Sequence, residues 1–326
     1  TEGRGDLDNL RLVREQRVAP GPGEVEIEVR AAGLNFRDVL NALNMYPGDA
    51  GTFGSEAAGV VAAVGEGVSN FVVGDPVLAF TRDSIATHAM ARADLTVKLP
   101  ASVDFADAVT APNSYLTAKL GLSAAGGLKP GSRVMVHAAA GGVGLAAVRL
   151  AKLAGAEIFA TAGSPAKRAF VLAEGAARVF DSRKAAFADD ILDCTGGAGL
   201  DVVINSLTGD FIPEGLRALR PGGTFVEIGK TEILTQEQAA AIRADVRYVV
   251  VDLGDEIARD TEGVARDLAA TIETMASGQT PALPVQAFDL SDVSAAFRFM
   301  AGAKHTGKIV LVPKRAPAVR IDGAYL

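Results

Sequence analysis

The sequence predicts an α/β protein in which a domain rich in short β-strands accompanies a doubly wound parallel sheet. Three observations predict this. Residues 24–31 (EVEIEVRA) alternate apolar and polar side chains, the period of a half-exposed strand. From about Pro112 onward, apolar strands alternate with helix-length segments. A loop of small residues, Ala138-Ala139-Ala140-Gly141-Gly142-Val143-Gly144, separates one such strand from a helix. The 326 residues are too many for one small core and suit two domains, and 49% hydrophobic content excludes a disordered chain.

The elements follow in order. After the strand at 24–31, breaks at Pro20–Gly23, Tyr46-Pro47-Gly48, Gly65-Glu66-Gly67 and Gly74-Asp75-Pro76 enclose short apolar runs at Val60–Val64 and Val77–Phe80. Strands are then expected at 133–137, 157–161, 178–180, 201–205, 223–228 and 247–251, with helices at 143–154, 165–174, 185–194, 211–219 and 235–243. Crossovers of helical length make such a sheet parallel. Beyond residue 262 come a helix, a segment bounded by Pro281 and Pro284, a helix at 292–301 and a strand at 307–312. These last pieces are expected to complete the first domain. The division is 1–112 with 262–326 for the β-rich domain and 113–261 for the parallel sheet. The chain starts at Thr1 without an initiator Met and stops at residues 320–326 (RIDGAYL) like a strand just beginning. A module of a longer polypeptide is expected.

Composition narrows the function. A formal net charge of −7 disfavours a general nucleic-acid binder, and no apolar run reaches the length of a membrane span. The single cysteine, Cys194, excludes a disulfide framework and suits a reducing cytoplasm. His88, His137 and His305 are scattered without metal-ligand spacing, so metal-free chemistry is expected. A Gly-x-Ser-x-Gly elbow and a P-loop lysine are both missing.

The small-residue loop is the strongest motif. Ala138, Gly141 and Gly144 take the places of a dinucleotide fingerprint with alanine first. Small residues such as Ala140, Gly141, Gly142, Val143 and Gly144 let backbone approach a pyrophosphate at a helix N-terminus, where N–H groups and the helix dipole favour an anion. An NAD site wants an acid at the end of the second strand. Here that strand ends Thr161-Ala162-Gly163-Ser164, followed by Lys167 and Arg168, and Asp181-Ser182-Arg183 ends the third. Room for a 2′-phosphate and cations to meet it predict NADPH. A metal-free reductase can act on a polarised C=C bond, which requires donors for an enolate oxygen and a proton for the α-carbon. Tyr46, one of four tyrosines, sits in a Gly/Pro-bounded loop where it either donates that proton or packs the loop.

The chain also resembles a known family. Gly33-Leu34-Asn35-Phe36-Arg37-Asp38-Val39-Leu40, Met45-Tyr46-Pro47-Gly48, Glu56-Ala57-Ala58-Gly59-Val60-Val61 and His137–Gly144 are similar to the enoyl reductase domain of modular type I polyketide synthases. So are Phe180-Asp181-Ser182-Arg183, Asn205-Ser206-Leu207, Gly229-Lys230 and His305-Thr306-Gly307-Lys308-Ile309-Val310-Leu311. The resemblance implies a medium-chain reductase architecture, with a GroES-like substrate domain and a Rossmann domain. It implies NADPH-dependent reduction of a trans-2-enoyl chain carried as a thioester on an acyl carrier protein. A ketoreductase would follow in the chain, and the protein would be a monomer or homodimer.

The resemblance also implies residue roles. Tyr46 is associated with the handedness of α-protonation. Lys230 and Asp252 lie near the nicotinamide, either assisting the reaction or only stabilising the domain as an ion pair. Asn35 orients cofactor or substrate, Thr117 packs on the nicotinamide, and Asn205, Ser206, Leu207, Ile228, Gly229 and Lys308 join the cofactor contacts. Two positions depart from the pattern. Ser55 stands where zinc-dependent relatives carry a ligand His, and Lys119 stands where an aromatic cleft-wall residue is expected. A free-standing quinone or enone reductase, or a catalytically silent NADPH-binding scaffold, are the competing readings.

Overall fold

The computed structural model describes residues 4–48 and 51–314; the strand expected at 320–326 lies outside them. In chain order the first strand, β1, runs Glu24–Leu34 and is followed by helix α1, Phe36–Ala42. The strand outlasts its alternating pattern because Ala31–Leu34 are buried throughout, covered on both faces, where alternation carries no signal. Strands β2 (Glu56–Val64), β3 (Pro76–Phe80), β4 (His88–Arg92) and β5 (Thr96–Lys98) come next. Helices α2 (Phe105–Ala108) and α3 (Pro112–Ala124) then lead to the second sheet. Periodicity gave no sign of α3, and its burial explains why. Leu116 packs into the core of the first sheet, while Tyr115, Ala118 and Leu122 pack into that of the second, so the helix has no single apolar stripe.

The second sheet is built from β6 (Arg133–Val136), β7 (Glu157–Ala162), β8 (Arg178–Asp181), β9 (Leu200–Asn205), β10 (Leu219–Glu227) and β11 (Arg247–Val250). Helices α4 (Gly142–Leu153), α5 (Pro165–Glu174), α6 (Ala188–Cys194), α7 (Phe211–Ala218) and α8 (Gln236–Ile242) make the crossovers. Every pairing is parallel, in the order β11-β10-β9-β6-β7-β8. The winding direction reverses between β6 and β9, which opens a crevice at the strands' C-terminal ends.

After β11 come α9 (Leu253–Arg259) and α10 (Thr261–Ala276). The helix expected beyond residue 262 is α10, capped by the Asp260 side chain, which accepts from Gly263 N at 2.9 Å; the short α9 before it was not expected. The described chain ends with β12 (Val285–Asp289), α11 (Val293–Ala301) and β13 (Lys308–Val312). β13 pairs antiparallel with β1, and β12 pairs parallel with β13, so late strands complete the sheet that the first strands begin. No helix among the described residues is long and apolar enough to cross a membrane.

One buried ion pair ties these pieces together. Glu56 opens β2 and Lys308 opens β13; their side chains are 0% and 3% exposed and meet at 2.5 Å. Glu56 also accepts from Asn35 Nδ2 at 2.9 Å and from Asn113 N at 2.8 Å, while Lys308 donates to Asn35 Oδ1 at 2.5 Å. β1 passes so near that a Cβ on Gly33 would lie 2.3 Å from Glu56 Oε1, which is why glycine stands there. Removing one member of such a pair leaves a buried charge without its partner. Lys308→Met should therefore cost about 3–5 kcal/mol. The double variant Glu56→Gln/Lys308→Met should recover much of that loss, as read by denaturant unfolding.

Candidate active site

The crevice at the strand ends faces the β-rich sheet across an open cleft, which continues along residues 9–19 and holds about 3190 Å³ in all. That exceeds the roughly 300–1,000 Å³ of an ordinary small-ligand pocket. Of the residues expected to form the site, only Thr161, Arg168 and Asn205 stand off its surface.

The glycine loop follows β6. Ala138 takes a left-handed conformation (φ 48°), and a Cβ on Gly144 would lie 2.5 Å from Ala138 O. The loop thus closes tightly enough to bring the first N–H groups of α4, which have no intrahelical partners, to the cleft. Thr161 was expected to meet the cofactor. It is instead fully buried beneath the loop, where its Oγ1 accepts from Ala138 N at 3.1 Å and lies 3.2 Å from His137 Nδ1. A hydroxyl at the end of a central strand points into the sheet as readily as out of it. Burial lowers the His137 pKa to about 3, so this imidazole stays neutral, edge-on to Phe187 and Phe211. The far side of the loop rests on the β-rich sheet: Gly307 N donates to Ala140 O at 2.8 Å, and a Cβ on Gly142 would lie 2.8 Å from Ser114 Oγ.

Next to the loop lie Gly163, Ser164, Lys167, Ser182 and Arg183. Ser164 caps α5 by accepting from Lys167 N at 3.3 Å. Lys167 Nζ donates to Ala303 O at 2.8 Å, and burial lowers its pKa. Arg168, the second expected cation, pairs with Asp181 at 3.3 Å. Arg183 is exposed, and its backbone N–H bonds Asp181 Oδ1 at 3.0 Å. His305 stands beside Lys167 and Lys308. Burial first, and then those two cations, lower its pKa to about 4.

The other half of the crevice is made by the ends of β9, β10 and β11. Lys230, after β10, forms a close ion pair with Asp252, the N-cap of α9. Burial alone would raise the Asp252 pKa, but the Lys230 ammonium and the N–H groups of Asp255 and Gly254 more than offset it, so the group remains a carboxylate. Thr117, half-buried on α3, faces the same space. Asn205 does not reach it. Its side chain is buried, donating to Leu207 O and Glu227 Oε2, both at 2.7 Å, and accepting from Leu207 N at 3.2 Å. It holds the Ser206–Leu207 turn at the cleft without touching the cleft.

On the opposite wall, Tyr46 is half-buried with the Arg37 guanidinium 5.2 Å from its ring centre. Asn35 was expected to orient a ligand, but its amide is engaged by Glu56 and Lys308. Lys308, expected among the cofactor contacts, is likewise committed to Glu56 and Asn35 and is nearly inaccessible. Ser55 Oγ accepts from the amides of Asn113 at 3.1 Å and Asn35 at 3.4 Å. Lys119 is no cleft-wall residue: it turns to the outer side of α3 and pairs with Asp267 of α10 at 2.5 Å. Glu56, Asn113 and Glu227 carry this site's internal bonding, and none stands out in the sequence. A lone acid in an otherwise apolar strand was the one available signal. Among the described residues, no three His, Cys, Asp or Glu gather as a metal site.

Comparison with known proteins now bears on this geometry. Residues 21–119 match the alcohol dehydrogenase GroES-like domain, and residues 142–270 match the zinc-binding dehydrogenase profile. Over 99% of its length the chain is 42% identical to a phenolphthiocerol/phthiocerol polyketide synthase protein of Mycobacterium tuberculosis, and it spans 16% of the length of that relative. The crystal structure of CurK enoyl reductase superposes with a TM-score of 0.89 at 42% identity, covering 96% of this chain and 98% of that one. Escherichia coli quinone oxidoreductase complexed with NADPH gives 0.87 at 27% identity, covering 95% and 98%. The first profile spans strands β1–β5 and the second spans β7–β11, and the likeness to CurK runs through nearly all of both chains. This chain therefore belongs to the enoyl reductase domains of modular polyketide synthases, within the medium-chain dehydrogenase/reductase family.

Proposed function

We propose that the chain reduces the C2=C3 double bond of a trans-2-enoyl thioester carried on an acyl carrier protein, using NADPH. One observation carries this reading: a glycine loop, the Lys230–Asp252 pair and Tyr46 all line a single cleft. The loop suits a dinucleotide, because glycine at 142 and 144, where an added Cβ would strike Ser114 and Ala138, lets it fold tightly and leaves the N-terminus of α4 open to the cleft. Gly163, Ser164, Lys167, Ser182 and Arg183 suit a 2′-phosphate, since the acid nearby, Asp181, is paired with Arg168. Thr117, Leu207, Ile228 and Gly229 would flank the nicotinamide.

Bound there, NADPH supplies a hydride to C3 of the enoyl chain. Negative charge then gathers on the thioester oxygen, and Lys230 stabilises it, held in place by the Asp252 carboxylate. C2 takes a proton, which Tyr46 delivers from the opposite wall. The partners this reading implies are the carrier protein and the neighbouring synthase domains.

NADPH consumption should follow addition of crotonyl-pantetheine and not of a benzoquinone. The reverse preference would point to a quinone reductase, and consumption with neither to a silent module. Gly144→Ala should weaken NADPH binding on the order of 100-fold, the loss of one or two charged hydrogen bonds, read by fluorescence titration. Tyr46→Phe should leave turnover within a few-fold but change the C2 configuration of the product from a 2-methyl enoyl thioester. An unaltered configuration would remove Tyr46 from proton delivery.

A further inference from the structure

We infer that Glu227 is a positioning residue for the reaction, the hub that sets Lys230 against Asp252 and the Ser206–Leu207 turn. The inference rests on the reading of the reaction given above. Glu227 ends β10 with 1% exposure. Its carboxyl touches two of the three strand ends that make the nicotinamide half of the crevice: Oε2 accepts from Asn205 Nδ2 and Oε1 from Gly229 N, both at 2.7 Å. Its backbone carbonyl reaches the third, accepting from Val251 N at 2.8 Å, one residue before Asp252. Asn205 in turn holds Leu207 through both backbone groups. Glu227 therefore bonds directly or through one residue to all three cleft-lining turns without itself lining the cleft.

The chemistry of this seat is specific. Both carboxyl oxygens face donors, so the seat matches an anion. An acid proton, or the amide hydrogens of glutamine, would confront an N–H. Burial works against that anion and raises the pKa to about 7, while Asn205, the Gly229 and Ile228 N–H groups and Lys230 pull it down. Lys230 and, on β11, Tyr248 are the titratable groups that act on it; Asp252 acts through Lys230. A native pKa above the ordinary 4.5 means that the folded chain holds a proton which the unfolded chain releases. Glu227 thus adds stability below about pH 4.5, and that contribution is lost as pH rises through about 7. At neutral pH and above, the anion is kept at the expense of stability, as expected of a group serving the site.

Glu227→Gln separates the two roles. In the proposal, kcat with crotonyl-pantetheine falls about tenfold and KM for NADPH rises by less than that, because the glycine loop and the residues assigned to the 2′-phosphate are untouched while the turns beside the nicotinamide shift. Thermal stability at pH 8 is at least that of the unmodified protein. Asn205→Ala provides a second route: it removes the 2.7 Å donor to Glu227 Oε2 from a residue that does not line the cleft, and should lower kcat alike. Unchanged kcat in both variants overturns the assignment, as does a parallel loss of kcat and stability, which would mark a purely structural role. If Lys230→Ala turns over like the parent while Glu227→Gln is impaired, the role of Lys230 fails and the proposal fails with it. If the parent protein consumes no NADPH with the thioester, the reaction itself is wrong.

Discussion

The substrate-side wall of the cleft is held together by the buried Glu56–Lys308 ion pair, which joins two strands of the first sheet. Desolvating two charges is costly, and burial repays the cost only where the remaining lone pairs and protons also find partners. Here they do: Glu56 accepts from Lys308, Asn35 and Asn113, and Lys308 also donates to Asn35. These partners come from β1–α1, β2, α3 and β13, four segments far apart in sequence. One residue before Lys308, Gly307 donates to Ala140 in the glycine loop. The contact with the loop is thus a backbone one, made by the residue next to the pair, and the pair's directional bonds anchor the strand that carries it.

A similar arrangement recurs beneath the rest of the cleft. Thr161 braces the left-handed turn at Ala138 from inside the parallel sheet, and Asn205 with Glu227 braces the turns after β9 and β10. Each of these three turns stands on an inward polar side chain. Backbone can then approach a ligand closely in front because its conformation is determined from behind.

That layering decides what the sequence could reveal. Strands β6–β11 were legible because a parallel sheet buried on both faces reads as continuous apolar runs. The glycine loop was legible because close backbone approach admits few residue types. Helix α3 was hidden because it serves two cores, and the break between α9 and α10 turned on one aspartate cap. For the site, a polar residue at a strand end reads the same whether its side chain faces a ligand or supports the turn that does. Thr161 and Asn205, read as contacts, stand behind the cleft instead, while Asn35 and Lys308 line it but spend polar atoms on each other and on Glu56. Glu56 and Glu227 were overlooked for the complementary reason: their donors come from segments 21 or more residues away or from backbone N–H groups, which leave no pattern in the sequence.

The charges follow from the same geometry. Two lysines stand near the reacting end of the cleft, each paired with a carboxylate, yet they are not equivalent. Lys308 is 3% exposed and faces a fully buried Glu56. A substrate oxygen could reach it only by dismantling a network that joins four segments. Lys230 is 27% exposed and its partner Asp252 is 31% exposed, so the ammonium can keep its carboxylate and still donate into the cleft. On the substrate-side wall Ser55 is small enough for the amides of Asn35 and Asn113 to converge on its hydroxyl, which makes that part of the wall neutral. Of the two lysines, Lys230 is therefore the one open to the cleft, and its pair with Asp252 is held by turns that Glu227 ties together.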